Sequence, residues 1–225
     1  MFRMRPLKGY IKAAFRPAFV LCPSTTNPRS ASQPAFPSFQ KEKKTKRNTK
    51  KMSLSKASIR TLTIADLDEC MRIEHAAFEK HEWFSREIFF RCLSGSPELC
   101  FGIFFGGRLI GQAISTRTQH PTFVDSCMDT ALKRPDGPTI VLMSLAVLPE
   151  FQEKKFGTTL MTEYIRVIQA NEKKRNFFSQ APAGRIALIA RDELLPFYRR
   201  FNFVSLGESQ AEFAGGGWLD LVLKF

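Results

Sequence analysis

The most regular pattern in the chain is an apolar run followed by helical spacing. Residues 140–147 are almost all apolar and rich in branched side chains, which favours a central strand buried on both faces. Pro149 ends that strand because it has no N–H to donate. Helical spacing then appears in Phe156, Leu160, Met161, Tyr164, Ile165 and Ile168. The pattern predicts a buried strand, a short turn and an amphipathic helix.

The segments on either side alternate between strand and helix patterns. Strands are predicted from Ile59, over 99–105, 108–115 and 185–190, after Phe201, and over 218–225. Helices are predicted over 67–78, after an N-cap at Ser85, and from Asp192 or Glu193 through Arg200. Gly106 and Gly107 form a hairpin turn. The order β-α-α-β-β-β-α-β-α-β-β predicts an α/β fold, a mixed central sheet flanked by helices on both faces.

Charge divides the chain into two parts. The formal net charge of +13 belongs to residues 1–58, which carry 14 Lys and Arg and one acidic residue, Glu42. Residues 59–225 carry 20 basic and 20 acidic residues. We therefore predict a basic, disordered tail over 1–58 and one domain over 59–225, and no nucleic-acid binding through that domain.

The tail leaves three interpretations open. Its acid-poor, Arg-bearing start resembles a mitochondrial transit peptide. It is also typical of a disordered tail, and Met52 could be the true start. We expect a cytoplasmic protein, or a mitochondrial one if residues 1–51 are a transit peptide.

The five cysteines show no CxxC spacing and no Cys/His cluster. We therefore expect reduced thiols and no metal site. No apolar run is long enough to predict a membrane span.

A strand that feeds a turn and a helix N-terminus can bind phosphate, because free N–H groups and the helix dipole point at the same place. Gly157 lies where this turn enters the helix. The spacing alone is equally typical of an ordinary strand–helix unit.

Four stretches together resemble the GNAT superfamily of N-acetyltransferases. They are SLAVLPEFQEKKFGTTLM, ALIARDELLPFYRRFNFV, LSGSPELCFGIF and EHAAF. The last two are similar to arylalkylamine (serotonin) N-acetyltransferases and their fungal polyamine-acetylating relatives. The resemblance covers residues 59–225 and implies acetyl-CoA as co-substrate and a primary amine as acceptor.

The resemblance also implies roles for particular residues. The pantetheine arm of the cofactor pairs with the backbone of Leu145, Ala146 and Val147. The pyrophosphate lies on the turn formed by Glu153, Lys154, Lys155, Phe156, Gly157 and Thr158. Tyr198 protonates the departing thiolate, a role that suits a phenol protonated at neutral pH.

Four positions depart from the family pattern. Lys155 stands where the turn motif has a glycine, although a lysine adopts positive φ at greater cost. Val141 and Met143 stand where relatives place basic histidines, and Lys133 replaces another histidine. Without a local base, the rate is expected to rise steeply with pH. Glu74, His75 and His120 are alternative bases.

Phe78, Glu74 and Met143 are the candidate residues of the amine pocket, although core packing explains Phe78 equally well. Four acidic residues near the expected entrance favour a cationic polyamine or are ordinary solvated charges: Glu79, Glu82, Asp125 and Asp129.

We therefore predict a small-molecule amine N-acetyltransferase that works by direct attack of the amine, since no Cys or Ser stands beside a recognisable base. The alternatives are an acyl-CoA-binding protein with weak or lost catalysis and a protein N-acetyltransferase. The sequence leaves the oligomeric state open.

Overall fold

The computed structural model describes residues 56–129, 137–174 and 182–225. The predicted tail, apart from residues 56–58, and the predicted role of Lys133 therefore lie outside the described residues. No helix in these three ranges is both long and apolar enough to cross a bilayer.

Within the described residues, seven strands form one mixed sheet. In chain order they are β1 Ala57–Thr61, β2 Phe101–Phe105, β3 Arg108–Thr118, β4 Thr139–Val147, β5 Arg185–Ala190, β6 Val204–Glu208 and β7 Leu219–Lys224. Across the sheet their order is β1-β2-β3-β4-β5-β7-β6. Neighbouring strands are antiparallel except β4 and β5, which are parallel. Every residue of β4 is buried, as expected of a central strand covered on both faces.

The described parts of the chain contain four α-helices, α1 Leu67–Ala77, α2 Arg86–Gly95, α3 Phe156–Lys174 and α4 Leu195–Arg199. Two residues of β3 show that α1 and α3 cover opposite faces. Gln112 contacts Glu74 of α1, whereas Ser115, three residues on, contacts Tyr164 of α3. The predicted α/β fold with helices on both faces of a mixed sheet is confirmed.

Most element boundaries match the sequence pattern, and the differences have local causes. Gly106 and Gly107 adopt φ of 59° and 80° in the predicted hairpin, and the Ser85 side chain accepts a hydrogen bond from Ile88 N–H as the N-cap of α2. The last helix is shorter than predicted. It opens as a 3-10 turn at Asp192–Leu194, and α4 begins at Leu195, one residue before Pro196.

The sheet divides between β4 and β5. Their parallel pairing covers only Thr139–Val141 with Arg185–Ala187, whereas β4 stays paired with β3 as far as Val147. Within the described residues, the edge of β4 that faces β5 therefore has no strand partner over residues 142–147.

A β-bulge lies at the start of this split. Ser115 of β3 pairs with Leu142 and Ile114 pairs with Ser144, so that Met143 is the extra residue on β4. Val141 pairs with Thr116 and Ser144 pairs with Ile114, two positions of β3 that share a face. Val141 and Ser144 therefore lie on the same side of the sheet, although they are three positions apart on β4.

Candidate active site

In the turn before α3, two residues that are not glycine adopt a backbone conformation with positive φ, which favours glycine. Glu153 and Lys155 adopt φ of 60° and 66°. The Lys155 carbonyl accepts a hydrogen bond from Thr159 N–H at 2.9 Å, which opens the helix. The N–H groups of the next three residues, Phe156, Gly157 and Thr158, consequently have no acceptor within the helix. The turn forms without its first glycine, at the strain cost of a left-handed lysine.

Basic side chains surround this helix start. Lys154 and Lys155 are exposed, and the Arg200 guanidinium donates to Thr158 Oγ1 at 2.8 Å. Together with the helix dipole, they make the site attractive to an anion such as pyrophosphate. Sequence reasoning missed Arg200, although the Arg199–Arg200 pair directly after Tyr198 was a usable signal.

The predicted pantetheine strand lies at the split edge of β4. Leu145, Ala146 and Val147 are buried, and the Val147 carbonyl accepts a hydrogen bond from Gln152 Nε2 at 2.9 Å. That bond fastens the turn to the end of the strand. The side chain of Phe156 packs in an aromatic cluster with Phe105 and Phe151, so only its main chain is available to a cofactor.

Tyr198 lies in α4, two residues from the arginine that contacts the first turn of α3. Its side chain is 2% exposed, packed between the rings of Phe197 and Phe203, and burial raises its pKa above the usual tyrosine value. Its hydroxyl forms no hydrogen bond with the described residues, whereas the other buried tyrosine, Tyr164, bonds Ser115 Oγ at 2.7 Å. The Tyr198 hydroxyl is thus protonated and has no hydrogen-bond partner among the described residues.

A buried polar cluster lies between α1 and the bulged part of β4. Ser144 Oγ donates to Glu74 Oε2 at 2.7 Å, and Gln112 Nε2 lies 3.5 Å from that oxygen and 3.4 Å from Ser144 Oγ. Phe84 N–H donates to Glu74 Oε1 at 3.1 Å. The candidate Glu74 is therefore held by three segments. Sequence reasoning missed Ser144 and Gln112, although polar residues in two otherwise apolar strands were a signal.

The other candidates are less well supported. Phe78 and Met143 are buried in the core, while His75 is exposed and lies against Trp83, with ring centroids 4.1 Å apart. His120 is exposed in a loop.

Glu82 and Asp125, two of the acids predicted at the entrance, contact other parts of the protein. Glu82 is only 3% exposed and pairs with Arg191 at 3.7 Å. Asp125 accepts the N–H groups of Glu212 and Phe213. Glu79 and Asp129 are exposed. Within the described ranges, no three His, Cys, Asp or Glu side chains are grouped so that they could hold a metal ion.

Comparison with known proteins identifies the family and the fold of the chain. A sequence model of the acetyltransferase (GNAT) family matches residues 64–203. The serotonin N-acetyltransferase of Mesocricetus auratus is 31% identical over 111 residues, which cover 49% of this chain and 48% of that protein. The chain thus spans about half the length of that relative.

Two solved structures share the fold. The PaiA N-acetyltransferase of Thermoplasma acidophilum, in complex with coenzyme A, has a TM-score of 0.52 at 18% identity, over 77% of this chain and 100% of that one. Arabidopsis thaliana Naa50, in complex with the bisubstrate analogue CoA-Ac-MVNAL, has a TM-score of 0.56 at 11% identity, over 76% and 99%. Because the family model matches residues 64–203, more than half of the chain, the chain belongs to the acetyltransferase (GNAT) family. This confirms the family and the fold that were predicted from its motifs.

Proposed function

We propose that this protein transfers the acetyl group of acetyl-CoA to the nitrogen of a small primary amine, an arylalkylamine or a polyamine, by direct attack. The observation that carries the proposal is the split between β4 and β5, which leads to the open N-terminus of α3. The similarity to serotonin N-acetyltransferase supports a small amine as acceptor.

The chain supplies two kinds of contact for the cofactor. The unpaired edge over residues 145–147 offers backbone donors and acceptors to the amide groups of a pantetheine arm. The N–H groups of residues 156–158, with Lys154, Lys155 and Arg200, offer positive charge to the pyrophosphate.

Tyr198 serves as the acid in this scheme. The amine nitrogen forms a bond to the thioester carbonyl carbon, the C–S bond breaks, and the sulfur leaves as a thiolate. Tyr198 donates its proton to that sulfur, since burial keeps the hydroxyl protonated.

Glu74 is the base that the buried cluster favours. Val141 and Met143 cannot accept a proton, whereas Ser144 Oγ is hydrogen-bonded to the Glu74 carboxylate. A proton leaving the amine can pass to Ser144 Oγ while the Ser144 proton passes to Glu74. The hydroxyl can both accept and donate, and the carboxylate only has to accept.

A second candidate is an acyl-CoA-binding protein with weak catalysis. The strained Lys155 and the absence of imidazole at positions 141 and 143 favour it. A protein N-acetyltransferase is a third candidate, since proteins of that type share the fold.

One assay separates the candidates. Release of the CoA thiol is measured with serotonin, spermidine and a peptide with a free N-terminus, alongside calorimetric titration of acetyl-CoA. Turnover of either amine supports the proposal, binding without turnover supports the second candidate, and preference for the peptide supports the third.

A cytoplasmic location, or a mitochondrial one through residues 1–51, remains a separate proposal that fractionation of tagged protein would test.

A further inference from the structure

Two segments, one anchored to β4 and the other to the end of β5, pack against each other beside the split. The first, residues 78–85, connects α1 to α2, and the second, residues 209–218, connects β6 to β7. We call them together the roof. The first is tied to β4, because Phe84 N–H and Ser144 both bond Glu74. The second is tied to the end of β5 through Arg191, which directly follows Ala190.

Arg191 joins the two segments to each other. Its Nη1 donates to the carbonyl oxygens of Gly216 and Gly217, at 2.5 and 3.0 Å. Its Nη2 lies 3.7 Å from the carboxylate of Glu82 in the other segment. Its guanidinium lies 3.6 Å from the centre of the Trp218 ring, a cation–π contact. One side chain, 18% exposed, therefore holds both halves of the roof.

Aromatic contacts make the junction apolar. The rings of Phe84 and Phe213 lie 5.0 Å apart across the two segments. Trp218 Nε1 donates to the Phe213 carbonyl at 2.7 Å, and Asp125 accepts the Phe213 N–H at 3.2 Å. These contacts consequently hold the two segments of the roof together. An extended peptide, by contrast, requires an open groove in which to bind.

We propose that Arg191 is a specificity-determining residue, which limits the width of the acceptor by holding the roof closed over the split. This inference rests on the proposed function, because it takes the split as the place where the acceptor nitrogen meets the acetyl group. A narrow amine enters beneath the closed roof, whereas a peptide chain enters only when the Arg191 contacts are broken.

The two tryptophans of the chain provide a readout that does not depend on catalysis. Trp83 lies in the first segment of the roof and Trp218 at the end of the second. Tryptophan fluorescence of the CoA-loaded protein is therefore titrated with 2-phenylethylamine, spermidine and a Trp-free hexapeptide, and acetylation of each is measured in parallel.

Three variants make the comparison. Arg191→Met removes the guanidinium but keeps an unbranched apolar stem, and Arg191→Lys keeps the charge without the forked donors. Arg166→Met is the matched control, since Arg166 lies exposed on α3 and pairs with Glu163. Thermal melts establish that each variant is folded.

The expected result is that amines, but not the hexapeptide, change the fluorescence of the wild type and of Arg166→Met. Arg191→Met should then bind the hexapeptide, with the ratio of peptide to amine affinity raised about tenfold, and Arg191→Lys should lie between. Equal binding of peptide and amine by the wild type, an unchanged ratio in folded Arg191→Met, or no fluorescence response to any probe would overturn the inference. Amine binding with the expected ratios but without acetylation would leave the inference standing and reject the proposed function.

Discussion

Ser144 Oγ donates a 2.7 Å hydrogen bond to Glu74 Oε2, although the two residues are 70 positions apart in the chain. Both are fully buried. The bond brings a carboxylate to the strand on which the family resemblance predicted basic histidines. Glu74 is therefore the candidate base that the proposed function uses, since Val141 and Met143 cannot accept a proton.

Glu74→Gln should lower kcat/KM for an amine by about 100-fold or more near neutral pH, because general-base catalysis contributes roughly 100- to 10,000-fold. The replacement keeps the shape of the side chain but cannot take the proton. The steep pH dependence expected from the sequence should then appear in the variant, whose free amine must come from solution. The measurement is a pH–rate profile for both proteins at saturating acetyl-CoA.

Glu172→Gln is the matched control, since Glu172 is another buried carboxylate and bonds Ala183 N–H far along the chain from the cluster. It should leave the pH–rate profile unchanged. Identical profiles for the wild type and Glu74→Gln would show that Glu74 is not the base.

Tyr198→Phe should lower kcat at least tenfold while changing the free energy of unfolding by less than about 0.5 kcal/mol, because its hydroxyl bonds no described residue. Acetyl-CoA affinity should be nearly unchanged, since the proton is needed in the transition state. Burial raises the pKa of Tyr198 above the usual value, so the wild-type kcat should show no falling limb from this group below pH about 10.

Tyr164→Phe should show the opposite pattern, a loss of stability with little change in kcat. It removes the bond to Ser115 and leaves a buried hydroxyl unpaired, which should cost about 1–2 kcal/mol in urea unfolding. Its kcat should stay close to that of the wild type. If both variants lose only stability, Tyr198 is a packing residue.

Lys155→Gly should stabilise the fold by about 0.5–1 kcal/mol, because glycine adopts the positive φ of this position without the cost of a side chain. It should also weaken acetyl-CoA binding a few-fold through the lost charge. Lys154→Gly is the control, since Lys154 is an exposed neighbour without positive φ. Thermal melts measure the stability of the variants, and calorimetry measures their affinity for acetyl-CoA. Equal stability changes in the two variants would show that the positive φ of Lys155 does not strain the backbone.

Gly157→Asp should weaken acetyl-CoA binding by about 100-fold, or roughly 2.7 kcal/mol. It adds a negative side chain at a buried position in the first turn of α3, where the phosphates must approach. Gly157→Ala adds volume without charge and should weaken binding less. Calorimetry that finds equal affinities for the wild type and Gly157→Asp would place the pyrophosphate elsewhere.

The order of strands and helices, the Gly106–Gly107 hairpin and the family were readable from the sequence, because each depends on residues that are close together in the chain. Apolar alternation, helical spacing and turn glycines determine local structure wherever the segment lies. The motif around Gly157 could be predicted for the same reason, because its strand, turn and helix follow one another directly in the chain.

The tertiary structure decided the features that depend on register and on distant contacts. The bulge at Met143 places Ser144 on the same face as Val141, which simple alternation does not predict, because one extra residue on β4 is invisible until its partners on β3 are known. The cluster of Glu74, Gln112 and Ser144 joins a helix to two strands, and Arg191 joins two connecting segments. Only the folded chain brings those side chains within hydrogen-bonding or ion-pairing distance, which is why the candidate base and the roof were found there.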